Sequence, residues 1–312
     1  MADMRAMLGG EPVETFLGVA SCSLDAIPVG ADVVIIGAPC ATPYDWVGPY
    51  CKDAPRAVRS SSGTYASSRQ HQNFDLDGPP VPDGMIVLDA GDLPWDAGTS
   101  EANRDTIRRA VRQVLAAGAV PVVLGGDDSI PIPVLQAFEG RGPITLIQID
   151  AHIDWRDEVR GERWGLSSTM RRCSEMGQVH TMIQVGRRGV GSARPEDAAA
   201  ADRRGVNFFS AHDVHRHGTA AIAATIPEGT DVFITIDADG LDPTTMPAVI
   251  GPEPGGLSYF QALEIIDAAS SRGRIVGVDL VEFVPENDVN SLGALTAFRL
   301  VAHAIGRVLQ NR

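Results

Sequence analysis

The chain has 312 residues, of which 44% are hydrophobic and 21% charged, a composition typical of a globular protein. Its formal net charge is −14, which argues against nucleic-acid binding because that needs a basic surface. The apolar runs are too short to predict a membrane span, and the first residues lack the pattern of a secretory signal. We therefore expect a cytoplasmic protein with neither nucleic acid nor membrane as a partner.

The acidic charge suits a cationic substrate or metal ions, although solubility alone explains it about as well. The chain has four cysteines, and their spacing is not that of a metal site. A chain of this length can bury a large core and needs no disulfide staples. We expect Cys22, Cys40, Cys51 and Cys173 to be reduced and mostly to serve as packing residues.

Short apolar runs alternate with helical patterns along the chain. Strands are predicted at residues 32–37, 85–88, 120–124, 146–149, 181–186, 232–236 and 274–281. Helices are predicted at residues 53–59, 101–117, 195–204, 213–225 and 291–309, and after the capping-box pair Ser258 and Gln261. Buried-type strands that alternate with helices favour an α/β fold with a mainly parallel sheet covered by helices on both faces.

The sequence contains no repeat, no low-complexity linker and no break in composition. We therefore predict a single domain over residues 1–312, with residues 1–30 as a peripheral and partly mobile segment. In parallel sheets of this class, functional sites form at the carboxyl ends of the strands. The acidic clusters of this sequence follow its predicted strands.

Two predicted strands end in potential metal ligands. The first is followed by Asp150, His152 and Asp154, and the second by Asp237 and Asp239. Residues two positions apart share a side of an extended segment, and crowded carboxylates repel one another unless a cation lies between them. Four carboxylates and one imidazole suit Mn²⁺ or another first-row divalent ion, and a bridging Asp could hold two ions together.

Single acidic residues at other strand ends have a simpler explanation. Asp89, Asp127 and Asp242 each follow a predicted strand, where Asp commonly caps a helix or forms a turn. For these three residues, a structural role and a role in the site both remain open.

Four segments, taken together, resemble the ureohydrolase family of arginase and agmatinase. They are the turn at residues 125–129 (GGDDS), the runs at residues 150–154 (DAHID) and 237–243 (DADGLDP), and the pair Val281-Glu282. The resemblance covers about residues 33 to 305. It implies a three-layer α/β/α fold, a trimeric or hexameric assembly, and a site with two Mn²⁺ ions, or Ni²⁺ in some members, that hydrolyses a guanidino C–N bond.

The resemblance also implies roles for individual residues. Asp150 and Asp237 match the bridging ligands, whereas His152 and Asp239 match ligands of one ion. Asp154 matches a ligand of the other ion that also orients the attacking water, and Glu282 matches the acid that faces the guanidinium. Asp154 and Glu282 are thus the expected catalytic residues.

The sequence departs from the family pattern at two places. Asp128 stands where the family has a histidine ligand, and an anionic ligand there would weaken the Lewis acidity of the metals. The segment at residues 164–172, which includes Leu166, matches a loop that usually carries a histidine, and it has none. These departures put the sixth ligand and the protonation of the leaving group in question.

The first functional hypothesis is a metal-dependent hydrolase of a small, cationic guanidino compound. The alternative is a catalytically weak or silent subunit that supports an active paralogue in a hetero-oligomer. A sugar- or nucleotide-binding protein is disfavoured because no glycine-rich phosphate loop follows the first strand.

A second metal site at His212, His215 and His217 is less favoured than surface histidines near a helix start. Aromatic loops near Tyr44, Trp46, Trp155 and Trp164 are expected to line the mouth of the site and to favour a compact guanidine.

Overall fold

Nine strands pair into one parallel sheet in the computed structural model, which describes residues 13–312. They are β1 (Ala20–Ser21), β2 (Val33–Ala38), β3 (Val87–Asp92), β4 (Val120–Gly125), β5 (Ile144–Ile149), β6 (Val179–Arg187), β7 (Asn207–Ser210), β8 (Asp231–Asp237) and β9 (Arg274–Val281). Their order across the sheet is β1-β3-β2-β4-β9-β8-β5-β6-β7, and every pairing is parallel. The four strands β4, β9, β8 and β5 are consecutive neighbours at the centre, and they position the site.

Helices cover both faces of the sheet. They are α1 (Ala54–Gly63), α2 (Ser100–Ala116), α3 (Pro131–Gln136), α4 (Thr169–Ser174), α5 (Pro195–Arg204), α6 (Ala211–His217), α7 (Ala220–Thr225), α8 (Tyr259–Arg272) and α9 (Leu292–Gln310). Buried side chains of α1, α6, α7, α8 and α9 belong to one apolar core, and those of α2, α3, α4 and α5 belong to a second core. The predicted α/β fold, with helices on both sides of a parallel sheet, is confirmed.

Most predicted elements are present within a few residues of their expected bounds. The capping box before α8 forms as predicted, because the Ser258 hydroxyl accepts a hydrogen bond from the backbone of Gln261 and the Gln261 side chain accepts one from the backbone of Ser258. The predicted helix at residues 213–225 is wrong in one respect, because it divides into α6 and α7 at Gly218, whose φ of 72° is in the region that favours glycine. The short elements β1, β7, α3 and α4 were not predicted.

The segment before β2 is only partly described, and residues 1–12 of the predicted peripheral segment lie outside the described residues. In its described part, Phe16 and Leu17 are buried and β1 pairs with β3. At the other end of the chain, α9 is long and apolar enough to span a membrane by length and hydropathy, but 78% of that stretch is buried in the fold. It therefore packs as a core helix.

Candidate metal centre

The central strands place the predicted acidic residues together at the carboxyl ends of the strands. Asp150 directly follows β5, Asp237 ends β8, and Glu282 directly follows β9. The turn that carries Asp128 follows β4. Because these four strands are parallel neighbours, their carboxyl ends meet, and the side chains from segments far apart in sequence converge there.

The backbone is unusual at both predicted catalytic residues. Asp154 and Glu282 have φ angles of 48° and 63°, in the left-handed region that residues other than glycine seldom adopt. Such a conformation costs about 1–3 kcal/mol and persists where the surroundings impose it, commonly at functional sites. The backbone N–H of Glu282 donates to the carbonyl of Gly126 over 2.8 Å, which ties the end of β9 to the turn after β4.

A glycine allows the two aspartate runs to approach each other. A Cβ atom on Gly240 would lie 2.7 Å from the backbone nitrogen of Asp150, closer than packed atoms allow. The side chain of Asp239 accepts a hydrogen bond from the backbone of Ala151 over 3.1 Å. The run after β8 therefore lies directly against the run after β5.

Two groups of side chains are compact enough to hold a metal ion, and Asp150 belongs to both. One consists of Asp150, His152 and Asp239, and the other of Asp128, Asp150 and Asp154. In each group, one potential ligand atom per residue lies within 4.8 Å of the others. The Nδ1 atom of His152 is 3.1 Å from Oδ2 of Asp239 and 3.4 Å from Oδ1 of Asp150, so this nitrogen faces the shared carboxylate.

Asp128 has no protein partner for its carboxylate among residues 13–312. The residue is only 2% exposed, and neither of its two buried oxygens makes a hydrogen bond. Its backbone is held on both sides, because its N–H donates to Glu282 over 2.8 Å and its carbonyl accepts from the hydroxyl of Thr169. A buried carboxylate without a partner is costly, so this position fits a cation that the protein atoms alone do not supply.

The electrostatics of the cluster point the same way. Burial, followed by repulsion from neighbouring carboxylates, raises the pKa of Asp128, Asp154, Asp237 and Asp239 above the ordinary value. The pKa of Asp150 is lowered in spite of its burial, because hydrogen bonds with His152 and Asp154 favour its ionised form. Hydrogen bonds with Asp150 and Asp239 raise the pKa of His152 to about 12. The ionised forms of the four carboxylates with a raised pKa are therefore disfavoured by burial and mutual repulsion, and a divalent cation between them would relieve that repulsion.

Glu282 lies beside this cluster, and its carboxylate accepts hydrogen bonds from other protein groups. The Tyr50 hydroxyl is 2.8 Å from Oε1 and 2.7 Å from Oε2 of Glu282, and the backbone N–H of Asp128 donates to Oε1. Burial raises the pKa of Glu282 to about 8, and the Tyr50 hydrogen bond offsets part of that rise. Glu282 is only 4% exposed, so a guanidinium that reaches it must share or displace the Tyr50 hydroxyl.

The structure thus brings all seven predicted site residues to one place: Asp128, Asp150, His152, Asp154, Asp237, Asp239 and Glu282. Neither metal-sized group includes Asp237 or Glu282, but the pKa of each is raised, first by burial and then by neighbouring charges that include Asp239. Sequence reasoning missed Tyr50 and Gln148, which contact Glu282 and Asp150. The only signal for Gln148 was a polar residue at a buried strand position, and Tyr50 gave none.

The other aspartates at strand ends have structural roles, as the simpler explanation holds. Asp127 accepts hydrogen bonds from the backbones of Ala41 and Ser129. Asp89 receives two hydrogen bonds from the guanidinium of Arg59 at 2.8 and 2.9 Å. Asp242 accepts hydrogen bonds from three backbone N–H groups, those of Thr244, Gly255 and Gly256. Asp127 and Asp242 thus shape turns, whereas Asp89, which lies within β3, ties this strand to α1 through Arg59.

Three further expectations concern the histidine group, Trp155 and the cysteines. His215 of the histidine group contacts the carbonyl of Gly256 through Nε2, and none of the three histidines belongs to a metal-sized group in the described part of the chain. The expectation that Trp155 lines the mouth of the site is wrong, because this residue is 3% exposed and its indole N–H donates to Gln184. The four cysteines are free thiols, in agreement with the prediction.

Comparisons with known proteins identify the family of the chain. The sequence profile of the Arginase family matches residues 31–306. An N(1)-aminopropylagmatine ureohydrolase from Thermus thermophilus is 35% identical over 253 residues, which cover 81% of this chain and 84% of the relative. Mitochondrial agmatinase from Gallus gallus is 31% identical over 297 residues, 91% of this chain and 84% of the relative. A crystal structure described as a hypothetical agmatinase from Burkholderia thailandensis is 28% identical, with a TM-score of 0.81 over 96% of this chain and 91% of that one. The chain therefore belongs to the arginase family of hydrolases.

Proposed function

We propose that the protein hydrolyses a guanidino C–N bond of a small guanidino compound with the help of two divalent metal ions, releasing urea or a substituted urea and an amine. The observation that carries this proposal is the pair of metal-sized groups that share Asp150. The unpartnered carboxylate of Asp128 in the second group supports it, because a buried anion of this kind fits a cation. The relatives named as ureohydrolase and agmatinase support the reaction class.

In this proposal, His152 and Asp239 would hold one ion and Asp128 and Asp154 would hold the other, with Asp150, which belongs to both groups, shared between the ions. Asp237, whose pKa is raised by burial and by its neighbours Asp239 and Asp150, would be the second shared ligand. The oxygen-rich set favours Mn²⁺, with Ni²⁺ as the second choice. Bound metal ions supply Lewis acidity and make a nucleophile available at neutral pH by lowering the pKa of water.

The side chains of the chain itself bind and orient the substrate. Glu282 faces the guanidinium, and the surrounding carboxylates stabilise its positive charge. Asp154, held in a left-handed backbone conformation, would orient the attacking water and accept its proton, which would pass to the amine nitrogen as the C–N bond breaks. Because these residues are at most 6% exposed, the reacting atoms are shielded from bulk water.

A compact substrate is part of the proposal. The Tyr50 hydroxyl covers both oxygens of Glu282, which leaves little room beside the guanidinium. In the same loop, the rings of Tyr44 and Trp46 stack with centroids 4.7 Å apart, and the guanidinium of Arg160 lies 4.4 Å from the Trp46 ring. This packed loop favours guanidine or an N-alkylated guanidine over a long charged molecule.

The test is a urea-release screen of the metal-loaded protein against guanidine, N-methylguanidine, agmatine and aminopropylagmatine. We expect turnover with at least one compact member, and loss of turnover in Asp150→Asn. Asp242→Asn is the matched control, because Asp242 also follows a strand but shapes a turn. An absence of turnover with all four compounds after reconstitution with Mn²⁺, Ni²⁺ or Co²⁺ would refute the proposal. Equal kinetics with agmatine and N-methylguanidine would refute its substrate-size part.

One observation favours a second candidate, a weak or silent subunit that supports an active paralogue. The segment that includes Leu166 lies close to the cluster, since Thr169 donates to the carbonyl of Asp128, yet residues 164–172 offer no imidazole to protonate a leaving group. In this case the isolated chain releases no urea, and activity appears only on co-expression with a sister chain. A homotrimer or homohexamer in the cytoplasm belongs to the first candidate, and light scattering of the purified chain distinguishes it from a hetero-oligomer.

A further inference from the structure

A row of buried polar side chains lies one layer beneath the acidic cluster. Asp279 of β9, Thr235 of β8, Gln148 of β5 and Gln184 of β6 are consecutive partners in the strand register. All four are at most 1% exposed. Strands buried on both faces of a parallel sheet are normally apolar, so four polar residues in register need a reason. Gln148 is two positions before Asp150, and its side chain therefore lies on the same face of the sheet as the cluster.

Three of the side chains around this row form an unbroken chain of hydrogen bonds that ends on the cluster. The indole N–H of Trp155 donates to Oε1 of Gln184 over 2.8 Å. Nε2 of Gln184 donates to Oε1 of Gln148 and, over 3.0 Å, to the carbonyl of Ile153. Nε2 of Gln148 then donates to Oδ2 of Asp150 over 2.5 Å and to Oδ2 of Asp154 over 2.9 Å. One amide group thus contacts both acidic residues of the run after β5.

The direction of this chain is fixed by its first member. An indole N–H can only donate, so the oxygen of the Gln184 amide must face Trp155. The NH₂ group of Gln184 must then face the oxygen of Gln148, which turns the NH₂ group of Gln148 towards Asp150 and Asp154. The carboxylates of Asp150 and Asp154, at the other end of the chain, accept hydrogen bonds. They therefore require the same orientation of both amides as Trp155 does. A 180° rotation of either amide would place its oxygen against another acceptor oxygen.

We propose that Trp155, Gln184 and Gln148 form a positioning relay that sets the orientation of the Asp150 and Asp154 carboxylates. These two residues belong to one metal-sized group, and Asp150 belongs to both groups. A donor that engages one oxygen of each carboxylate holds the pair in a single arrangement before a metal ion arrives. The relay residues belong to neither metal-sized group, and their consequence for metal affinity rests on the proposed function.

The direct test is metal affinity in Gln148→Leu and Gln184→Leu, which remove the amides and keep similar volume. We expect titration calorimetry of chelator-stripped protein with Mn²⁺ to give a Kd that is weaker by about 10–100-fold for Gln148→Leu, the range typical of partners behind metal ligands. Gln184→Leu should weaken Kd in the same direction although it contacts neither carboxylate. At saturating Mn²⁺, we expect kcat to fall while KM for the guanidino substrate stays the same.

Gln178→Leu is the matched control. Gln178 precedes the amino end of the same strand, β6, and donates to the carbonyl of Leu135 over 2.8 Å, away from the cluster. A merely structural role predicts that all three variants lose thermal stability while the Mn²⁺ affinity stays at the wild-type value. That result would overturn the relay and leave the proposed function intact.

A second readout needs no metal and separates the relay from the proposed function. In metal-free protein labelled with ¹⁵N-tryptophan, the indole resonance of Trp155 is assigned by its loss in Trp155→Phe. The relay predicts that Gln148→Leu shifts this resonance while that of the exposed Trp46 stays in place. If wild-type protein binds no metal, the proposed function fails, and an indole shift still supports the relay. An unchanged Trp155 resonance in Gln148→Leu would overturn the relay in either case.

Discussion

Asp279 allows a sharp test of the electrostatics beneath the site. This carboxylate lies in the central strand β9, between Val123 of β4 and Thr235 of β8, and is fully buried. Neither of its oxygens has a hydrogen-bond partner among the described residues, and the nearby Thr235 hydroxyl only partly offsets the effect of burial on its pKa. Burial raises the pKa of Asp279 from 3.8 to about 8. Asp279→Asn keeps the shape of the side chain and removes the ionisable group.

The sign follows from proton binding. Between pH 3.8 and 8 the folded protein keeps this proton while the unfolded chain loses it, so each pH unit costs about 1.4 kcal/mol of stability. The accumulated cost is about 4 kcal/mol at pH 7 and about 2 kcal/mol at pH 5. For a chain of 312 residues, 4 kcal/mol corresponds to a rise in Tm of about 6 °C.

Calorimetry of metal-free wild type and Asp279→Asn at pH 5 and pH 7 measures this difference. We expect the variant to be more stable at both values, with the larger gain at pH 7. Asp105→Asn is the control, because it makes the same change on the exposed surface of α2 and should shift stability by no more than about 0.5 kcal/mol. A variant that is less stable than wild type, or whose gain does not depend on pH, would refute the reasoning.

Two further substitutions test the site and its frame. Asp128→His replaces an unpartnered buried anion with a neutral ligand, which leaves the metals stronger Lewis acids. It should raise kcat at saturating Mn²⁺ by about tenfold, equivalent to about 1.4 kcal/mol. An unchanged or lower kcat would contradict this. Arg59→Met breaks the buried ion pair with Asp89 and should lower the free energy of unfolding by about 3–5 kcal/mol in denaturant titration, whereas Arg56→Met, at an exposed pair, should change it by less than about 1 kcal/mol. Equal losses in the two arginine variants would count against the structural role assigned to Asp89.

The sequence was most informative where hydrophobic periodicity is strong. Long elements such as α2 and β9 were predicted within a residue or two, because their apolar residues repeat with a helical or strand period. The strand β7 was missed because its four residues are only half-buried, and α3 was missed because its six residues, PIPVLQ, contain two prolines. Short elements of this kind are fixed by tertiary contacts.

The site shows the same division. Asp150, His152, Asp154, Asp237 and Asp239 could be predicted because the chain presents them in two dense local runs. Tyr50 and Gln184 could not, because they contact Glu282 and Gln148 only after the chain has folded, across 232 and 36 residues of sequence. Trp155 was misplaced for a related reason. An aromatic residue in a loop looks exposed in sequence, whereas here its ring is buried and its N–H satisfies a buried amide.

The metal stoichiometry of the purified protein tests the central claim most directly. Inductively coupled plasma mass spectrometry after Mn²⁺ reconstitution should find about two ions per chain in the wild type. Asp150→Asn should lose them, because Asp150 belongs to both metal-sized groups. Asp242→Asn should keep both. A wild-type protein that retains no divalent ion after reconstitution with Mn²⁺, Ni²⁺ or Co²⁺ would contradict the assignment of this acidic cluster as a binuclear metal centre.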